Sequence, residues 1–252
     1  MHKILANTVF LGKDIRFLTE CHSTSDLAAQ YFKEGNAKEG TIVITDKQTR
    51  GRGQRGNQWY SEPSKNLTFS LVLTPTFLDA TEQFYLSMAV SLGVHDALSA
   101  YIGEIYIKWP NDFVHQKSGK IGGMLIENQL STKGIDLSIV GIGINVNQTS
   151  FPFPNVTSLA LLAGSPIAKE EFFKFLVKAI EDHYLLLSRG RRRHIRNSYL
   201  ERLFRANEWA LFDDGELFEG KILGITDEGK LRIEKQDGRL ISYAFKEVSF
   251  IW

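Results

Sequence analysis

Apolar residues recur along the chain with two periods, which predict a mixture of helices and strands. Helical spacing predicts helices over 23–35, 81–103 and 169–187. Alternating or β-branched runs predict strands over 40–48, 66–75, 105–110, 120–130 and 137–147. Ser23 or Ser25 is expected to cap the first helix, and Gly35 to end it. A basic stretch, 188–204, predicts a partly helical connector.

From Asn207 onward the pattern changes to short strands separated by tight turns. Asp214, Asp227 and Asp237 each open an Asp-Gly or Asp-Glu-Gly sequence of the kind that closes hairpins. About forty-five residues with this spacing predict a small closed or half-open β-barrel. We therefore expect two domains, at 1–203 and 204–252.

Composition and charge exclude several classes of protein. The 252 residues carry a formal net charge of +1, so no global field draws the chain to nucleic acid or to an acidic membrane. Cys21 is the one cysteine, which rules out an internal disulfide and a cysteine-based zinc cluster. No apolar run is long enough to span a bilayer, and the N-terminal residues lack a signal-peptide pattern. We expect a soluble, cytoplasmic protein.

A glycine-rich loop, "TRGRGQRGNQW" at 49–59, contains Gly51, Gly53 and Gly56 in the order G-x-G-x-x-G. A dinucleotide-binding site needs a helix directly after the last glycine, whereas turn formers follow here. A Walker loop needs Gly-Lys-Ser or Gly-Lys-Thr, and the motifs of a protein kinase are missing from the chain. These three interpretations of the spacing therefore fail.

What the loop does offer is backbone N–H groups and positive charge. Arg50, Arg52 and Arg55 are interleaved with glycines, which let the backbone approach an anion closely. Guanidinium groups add bidentate donors. We interpret the loop as one that binds phosphate and folds over its ligand, so we expect residues 50–60 to become ordered when the ligand binds. The alternative is an ordinary solvated basic hairpin.

A second segment, "IKWPNDFVHQKSGKIGGMLIE" at 107–127, concentrates candidate chemistry. Pro110 ends a strand and leaves Lys108, Asn111 and Asp112 together at its end, where α/β sheets tend to have binding sites. Asp112 is a candidate ligand of Mg²⁺ or of phosphate-bound water, because magnesium on nucleotides takes one or two carboxylates.

Glycines accompany the next two candidate residues. Lys120 begins a strand and is followed by Gly122 and Gly123, which leave room beside its ammonium. A third block, "GIGIN" at 141–145, ends in Asn145, whose amide suits a nucleobase edge. The alternative for these glycines is close packing within a sheet.

These three blocks, in this order, resemble those of the biotin–protein ligases. The family patterns are Gly-Arg-Gly-Arg-x-Gly, Lys-Trp-Pro-Asn-Asp followed by a Lys-x-x-Gly strand, and Gly-x-Gly-x-Asn. Here they read GRGQRG, KWPND with KIGG, and GIGIN. The resemblance covers nearly the whole chain and is to the monofunctional form without a DNA-binding domain. It implies an α+β fold, a mixed sheet flanked by helices as in the class II synthetase-like biotin and lipoate ligases, followed by a small SH3-like barrel.

The resemblance also implies a reaction. ATP and Mg²⁺ activate biotin to biotinyl-5′-AMP, and the biotin is then transferred to a lysine of a biotin carboxyl carrier protein. Lys120 and Arg52 are the expected catalytic residues, and Asp112 is the candidate metal ligand. The family allows a homodimer, and no nucleic-acid or membrane partner is implied.

The family's binding residues carry over by position. Biotin is expected to contact Ser23, Thr24, Ser25, Gln48, Gly51, Arg52, Gly53, Lys120, Gly122, Gly123, Gly141 and Gly143. The ATP or adenylate is expected to contact Arg52, Gln54, Arg55, Trp59, Lys108, Asn111, Asp112 and Asn145. Two positions depart from the pattern: Gln54 replaces an arginine of the loop, and Ser25 replaces an asparagine of the pocket. The first departure bears on how tightly the loop retains the adenylate, and the second on one hydrogen bond.

Three alternatives stay open. Lipoate–protein ligases and octanoyltransferases share the implied fold, although KWPND and the glycine-arginine loop favour biotin. The run "RGRRRHIR" at 189–196 suggests a non-catalytic nucleic-acid-binding regulator, but no interleaved aromatic residues offer base stacking. Cys21, beside His22, offers a nucleophile, but no histidine motif is paired with it.

Overall fold

Seven strands form one mixed sheet in a computed structural model that describes residues 7–53, 56–132 and 134–251. The strands are β1 (Ile15–Cys21), β2 (Ile42–Gln48), β3 (Leu67–Leu73), β4 (Ile105–Lys108), β5 (Asp112–His115), β6 (Gly119–Ser131) and β7 (Gly134–Ile144). Their order across the sheet is β1-β2-β3-β7-β6-β5-β4. β1 and β2 run parallel and every other neighbouring pair runs antiparallel. The mixed sheet that the resemblance implied is therefore confirmed.

Helices cover both faces of this sheet. They are α1 (Thr24–Lys33), α2 (Gln83–Ser99), α3 (Leu159–Ala163), α4 (Lys169–Ser188) and α5 (Arg192–Glu201), with one 3₁₀ turn at Ala80–Glu82. α2, α4 and α5 pack together and bury the larger core against one face. α1 packs on β2, β3 and β7 from the other side, over a smaller core. Since α1 covers only part of its face, the rest of that face is available for a cavity.

A second, smaller sheet follows the helices. Its strands are β8 (Trp209–Asp213), β9 (Leu217–Ile225), β10 (Leu231–Lys235), β11 (Leu240–Tyr243) and β12 (Ser249–Phe250), in the order β11-β10-β9-β8-β12 with every pair antiparallel. This matches the short strands expected after Asn207. The boundary expected between residues 203 and 204 falls in the segment between α5 and β8, and it stays a prediction.

The sequence patterns gave most elements and missed three. Each predicted helix forms: α1 and α2 are shorter than predicted, and α4 extends one residue further, to Ser188. Ser23 is the residue that caps α1, since its Oγ accepts a hydrogen bond from the backbone N of Asp26. β1 was missed because its residues are partly exposed and show no clean alternation. β5 and α3 were missed because they have only four and five residues. The strand predicted over 105–110 ends at Lys108, because Trp109 and Pro110 form the turn into β5.

No helix in the described part of the chain combines the length and the apolar character needed to cross a bilayer.

A buried carboxylate on α4 fastens the segment that precedes β1. Glu181 is fully buried, and its side-chain oxygens accept hydrogen bonds from the backbone N–H groups of Val9, Phe10 and Leu11 at 2.7, 2.8 and 2.9 Å. A buried carboxylate is tolerated when its lone pairs are satisfied in this way. The segment is thereby fixed to the helical layer.

We expect Glu181→Ala to lower the free energy of unfolding by about 2–4 kcal/mol, because it leaves three backbone donors without their acceptor. Urea unfolding followed by circular dichroism measures this change. Glu170→Ala on the same helix is the control, since Glu170 is exposed and forms a surface ion pair with Lys174. It is expected to cost less than about 0.5 kcal/mol. Equal midpoints for the two variants would contradict the role of Glu181.

Candidate active site

The floor of a cavity lies where glycines replace apolar side chains on one face of β7. Leu137 and Ile139 pack beneath α1. Gly141 and Gly143 follow on the same face of β7, because alternate residues of a strand share a face, and at these two positions the strand has no side chain. A cavity of about 680 Å³ opens above them. This is a volume typical of small-molecule sites.

A single cross-strand row crosses the cavity. Thr68 on β3 pairs with Gly143 on β7, Gly143 pairs with Gly123 on β6, Gly123 pairs with Asp112 on β5, and Asp112 pairs with Lys108 on β4. All five residues line the cavity. The register of the sheet therefore brings together blocks that are far apart in the sequence.

One end of the cavity is walled by hydroxyl and amide groups. The backbone N of Thr24 donates to Oε1 of Gln48 at 2.7 Å, and the Thr24 hydroxyl lies 3.1 Å from the same oxygen. The hydroxyl of Ser70, which is fully buried on β3, lies 2.8 Å from that of Thr24 and 3.0 Å from that of Ser25. These contacts fix the polar groups at the start of α1, so this end suits a neutral ligand group rich in donors and acceptors.

The middle of the cavity is charged. Nζ of Lys120 lies 2.7 Å from Oδ1 of Asp112. Burial lowers the pKa of the nearby Lys108 ammonium, Asp112 opposes that shift, and Lys120 and Arg205 add to it. Cations gathered in a partly closed cavity provide electrostatic stabilisation for an anionic ligand.

Residues 49–53 and 56–59, which we call the flap, close one side of the cavity. Arg52 pairs with Gln58 in a short antiparallel bridge, and Gly53, Asn57 and Trp59 also line the cavity. Nη2 of Arg52 lies 2.7 Å from Asp26 Oδ1 and 2.7 Å from Glu127 Oε2. Gln54 and Arg55, both predicted to contact the adenylate, lie outside the described residues.

The indole of Trp59 lies directly on the glycine floor. A Cβ added to Gly143 would come within 2.4–2.7 Å of the Trp59 ring, so only glycine permits this contact. The Trp59 Nε1 is buried with no hydrogen-bond partner in the described structure. Nζ of Lys120 lies 5.7 Å from the ring centroid. A ligand acceptor within the cavity would satisfy the unpaired indole N–H.

Two residues of KWPND act structurally. The indole Nε1 of Trp109 donates to the backbone oxygen of Gly229 at 2.9 Å, and the ring contacts Phe245 edge-on. The Asn111 amide donates to the Met124 carbonyl, and Met124 N donates back to the Asn111 carbonyl at 3.0 Å. The peptide between Trp109 and Pro110 is cis. These bonds join the turn to β6 and to the C-terminal sheet.

The C-terminal sheet supplies the remaining wall. The lining residues there are Phe245, Lys246 and Val248, in the connection between β11 and β12, and Ser249 and Phe250 on β12. Nζ of Lys108 lies 5.1 Å from the centroid of the Phe250 ring, which suits a cation–π contact. The smaller sheet is therefore part of the cavity.

Most predicted site residues meet at this cavity. Those that line it are Ser23, Thr24, Ser25, Gln48, Arg52, Gly53, Trp59, Lys108, Asn111, Asp112, Lys120, Gly123, Gly141 and Gly143. Three others are not among the described lining residues: Gly51, Gly122 and Asn145. For Asn145 the chain has left β7 after Ile144, and its buried amide donates to the Thr157 carbonyl at 3.1 Å. Its Oδ1 is buried with no hydrogen-bond partner in the described structure, and the expected contact of Asn145 with a nucleobase stays a prediction.

Several functional residues were missed by the sequence reasoning. Ser70 is one, because a serine within an apolar strand gives no sign in the sequence that its hydroxyl will contact those of Thr24 and Ser25. Asp26 and Glu127 are others, since each sits in a pattern typical of a solvated helix or strand residue. The lining residues of the C-terminal part were missed because their proximity depends on how the two sheets pack; they are Phe245, Lys246, Val248, Ser249 and Phe250.

Two alternatives lose support. Burial raises the pKa of the Cys21 thiol, with a smaller opposing hydrogen bond from Thr45, so its reactive thiolate form is disfavoured. In the basic run, Arg192 pairs with Glu82, and Arg196 pairs with Asp227. Those guanidinium groups therefore serve contacts within the chain.

Metal ligands are sparse. Among the described residues no group of three or more His, Cys, Asp or Glu side chains is arranged to hold a metal ion. Asp112 is the one carboxylate among the described lining residues, and it also pairs with Lys120. This fits a metal ion that is held mainly by a ligand's phosphates, and not one caged by protein.

Comparison with known proteins gives consistent findings. Residues 18–147 match the Biotin/lipoate A/B protein ligase family. The chain is 33% identical over 231 residues to the bifunctional ligase/repressor BirA of Bacillus spizizenii, covering 86% of this chain and 68% of that protein. It is 32% identical over 209 residues to the biotin–[acetyl-CoA-carboxylase] ligase of Paracoccus denitrificans, covering 79% and 86%. A biotin protein ligase from Aquifex aeolicus in complex with biotin and ATP has a TM-score of 0.77 at 28% identity, covering 94% of this chain and 98% of that one.

We expect Trp109→Phe to loosen the contact between the two sheets, because it removes the hydrogen bond to Gly229 and keeps an aromatic ring. The loss of one buried hydrogen bond costs about 1 kcal/mol. Hydrogen–deuterium exchange read by mass spectrometry should show faster exchange across 227–231. Trp209→Phe is the control, since Trp209 is 53% exposed. Unchanged exchange in Trp109→Phe would show that the bond does not hold the sheets together.

Proposed function

This chain belongs to the biotin/lipoate A/B protein ligase family and is an enzyme that forms a C–N bond. On that premise we propose that it uses ATP to attach biotin to a lysine of a biotin carboxyl carrier protein. The family resemblance carried by the three motif blocks is confirmed. One observation carries the choice of reaction: a neutral polar end, a charged centre and the flap all border one cavity. Biotin has a neutral ureido ring at one end, which matches the neutral polar end of the cavity, and a carboxylate at the other, which matches the charged centre.

The ureido ring is proposed to lie at the start of α1. Thr24, Ser25 and Gln48 offer hydroxyl and amide groups there, and Ser70 holds the two hydroxyls in position. The ring has both N–H donors and a carbonyl acceptor, so these neutral partners suit it better than charges would. Gly141 leaves room beside Ser25, since a Cβ there would lie 2.6 Å from the Ser25 hydroxyl oxygen.

The carboxylate end is proposed to reach Lys120 and Arg52. In the first step a carboxylate oxygen of biotin bonds to the α-phosphorus of ATP, the bond from that phosphorus to the bridging oxygen breaks, and pyrophosphate leaves. Negative charge increases around the reacting phosphorus and the departing oxygens. The ammonium of Lys120 and the guanidinium of Arg52 stabilise that charge from fixed positions.

The second step transfers the acyl group. The neutral amine of the carrier lysine bonds to the acyl carbon of biotinyl-5′-AMP, the acyl–oxygen bond breaks, AMP leaves, and the amine loses one proton. Lys120 is proposed to stabilise the acyl oxygen as charge develops on it. The mixed anhydride hydrolyses in water, so a closed flap favours transfer over hydrolysis.

The nucleotide is proposed to occupy the side bordered by KWPND and the C-terminal sheet. Lys108 and Lys246 provide positive charge, while Trp59 and Phe250 provide aromatic faces. When bound, Mg²⁺ supplies positive charge to the pyrophosphate, and Asp112 is the residue that would hold it.

Three expectations from the sequence stay predictions. They are a soluble, cytoplasmic location, the division at residue 203 and the ordering of 50–60 on ligand binding.

We expect Lys120→Ala to slow biotin-dependent exchange of labelled pyrophosphate into ATP by about 10²–10³-fold, because a positioned cation contributes about that much to a charged transition state. Lys117→Ala is the matched control. Lys117 lies in the neighbouring turn with 77% of its side chain exposed, and it should exchange at the full rate. A Lys120→Ala enzyme with full activity would overturn the proposed catalytic role.

We expect the same exchange assay to discriminate between the two vitamins of the family. Biotin should support exchange, and lipoate at the same concentration should not, because the hydroxyl and amide wall at Thr24, Ser25 and Gln48 gains no hydrogen bonds from a dithiolane ring. Transfer is then followed on a purified carrier domain by mass spectrometry. Exchange with lipoate alone would identify the chain as a lipoate ligase instead.

A further inference from the structure

Arg52 is held by two carboxylates that the proposed reaction does not use. Nη1 and Nη2 of Arg52 donate to Oε1 and Oε2 of Glu127 at 3.0 and 2.7 Å, a two-pronged contact. Nη2 also lies 2.7 Å from Oδ1 of Asp26. The three side chains are 42%, 43% and 42% exposed, so each reaches solvent. We call these three residues the clasp.

The clasp joins three separate elements. Asp26 is in the first turn of α1, and Glu127 is on β6, two residues beyond the lining residue Leu125 and on the same face. Arg52 comes from the flap. Its guanidinium therefore ties the flap to two walls of the cavity at once.

The flap is otherwise built from bonds within itself and at its base. Gly53 N donates to the Asn57 carbonyl at 2.7 Å, and Trp59 N donates to the Gly51 carbonyl at 3.0 Å. At the base, Thr49 N donates to the Cys21 carbonyl at 2.9 Å. These bonds shape the hairpin but do not reach across the cavity. The clasp does reach across, so it bears on whether the flap is open or closed.

The contacts leave Arg52 able to meet a ligand as well. A guanidinium has five N–H groups, and the two hydrogen bonds to Glu127 use one on Nη1 and one on Nη2, the nitrogen that also faces Asp26. The Nε–H and the second Nη1–H remain, and Arg52 lines the cavity while it is held. Holding the flap and contacting an anionic ligand are therefore compatible in one arrangement.

We propose that Asp26 and Glu127 are positioning residues that hold the flap closed through Arg52 and so slow the escape of the acyl-adenylate. The identity of that ligand rests on the proposed function; the closure of the flap does not. An exposed ion pair contributes little alone, but a two-pronged arginine contact shared with a second carboxylate contributes more. The opposite possibility, that the carboxylates compete with the ligand for Arg52, predicts effects of the opposite sign.

The first test needs no substrate. Trypsin cleaves after arginine, so its rate of cleavage after Arg50 and Arg52 reports opening of the flap. Asp26→Asn and Glu127→Gln should each raise that rate about three- to tenfold. The double variant should fall short of the product of the two effects, because both carboxylates act on one guanidinium. Raising the salt concentration should speed cleavage of the wild-type protein and leave the double variant nearly unchanged.

The controls are exposed carboxylates in other ion pairs. Asp182→Asn and Glu170→Gln on α4 remove partners of Lys178 and Lys174 and should leave cleavage in the flap unchanged. Thermal unfolding of every variant shows whether the fold is intact. Equal cleavage rates in the wild type and both clasp variants would overturn the proposal.

The second test measures retention of the intermediate. The enzyme is loaded with biotin and ATP, separated from free ligand, and the release of biotinyl-5′-AMP is timed. Release should be about three- to tenfold faster in Asp26→Asn and Glu127→Gln. Slower or unchanged release would overturn the proposal, and slower release would point to competition. If the wild type forms no adenylate, the proposed function fails, and the trypsin assay still decides whether the clasp closes the flap.

Discussion

The register between β7, β6 and β5 is the constraint on which the site depends. Gly143 pairs with Gly123, and Gly123 pairs with Asp112. One row of the sheet therefore has two residues without side chains next to a carboxylate. A slip of one residue would turn this row to the opposite face, into the core beneath α2. Trp59 could not then rest on Gly143, and Lys120 would lose its place beside Asp112. Cavity, flap and charge all follow from one alignment of strands.

The same row explains why glycines recur in blocks that are distant in sequence. A Cβ at Gly123 would lie 2.9 Å from the Asp112 carboxylate and 3.3 Å from the Lys120 ammonium. A side chain there would separate the ion pair or displace it. The glycines bury no apolar side chains on this face of the sheet. Apolar burial resumes further along β7, where Ile139 packs in the smaller core beneath α1. The loss of stabilising apolar burial is therefore limited to the glycine positions that form the floor of the cavity.

How far the sequence predicts the site depends on whether a residue's role is local. Ser23 could be predicted because capping is decided within one turn, and Lys120 because its block has a distinctive pattern. Phe250 could not, because its contact with Lys108 depends on the packing of two sheets. For Asn145 the motif suggests a ligand contact, but only the fold shows that its amide nitrogen donates to the Thr157 carbonyl, so that contact stays a prediction. Short strands such as β5 fail for a related reason, since four residues carry too little periodicity.

Within KWPND some residues hold the turn in place and others present charges to the cavity. This division explains how the smaller sheet influences the charged part of the cavity. Trp109 and Asn111 direct their polar groups to Gly229 and Met124 and so fix the turn. Lys108 and Asp112, on either side of that turn, direct their charges into the cavity. The turn therefore couples the position of the charges to the position of the C-terminal sheet, through Trp109. A displacement of that sheet would move Lys108 relative to Asp112, because Lys108 also contacts Phe250. The smaller sheet thus acts on the charged centre through packing as well as by lining the cavity.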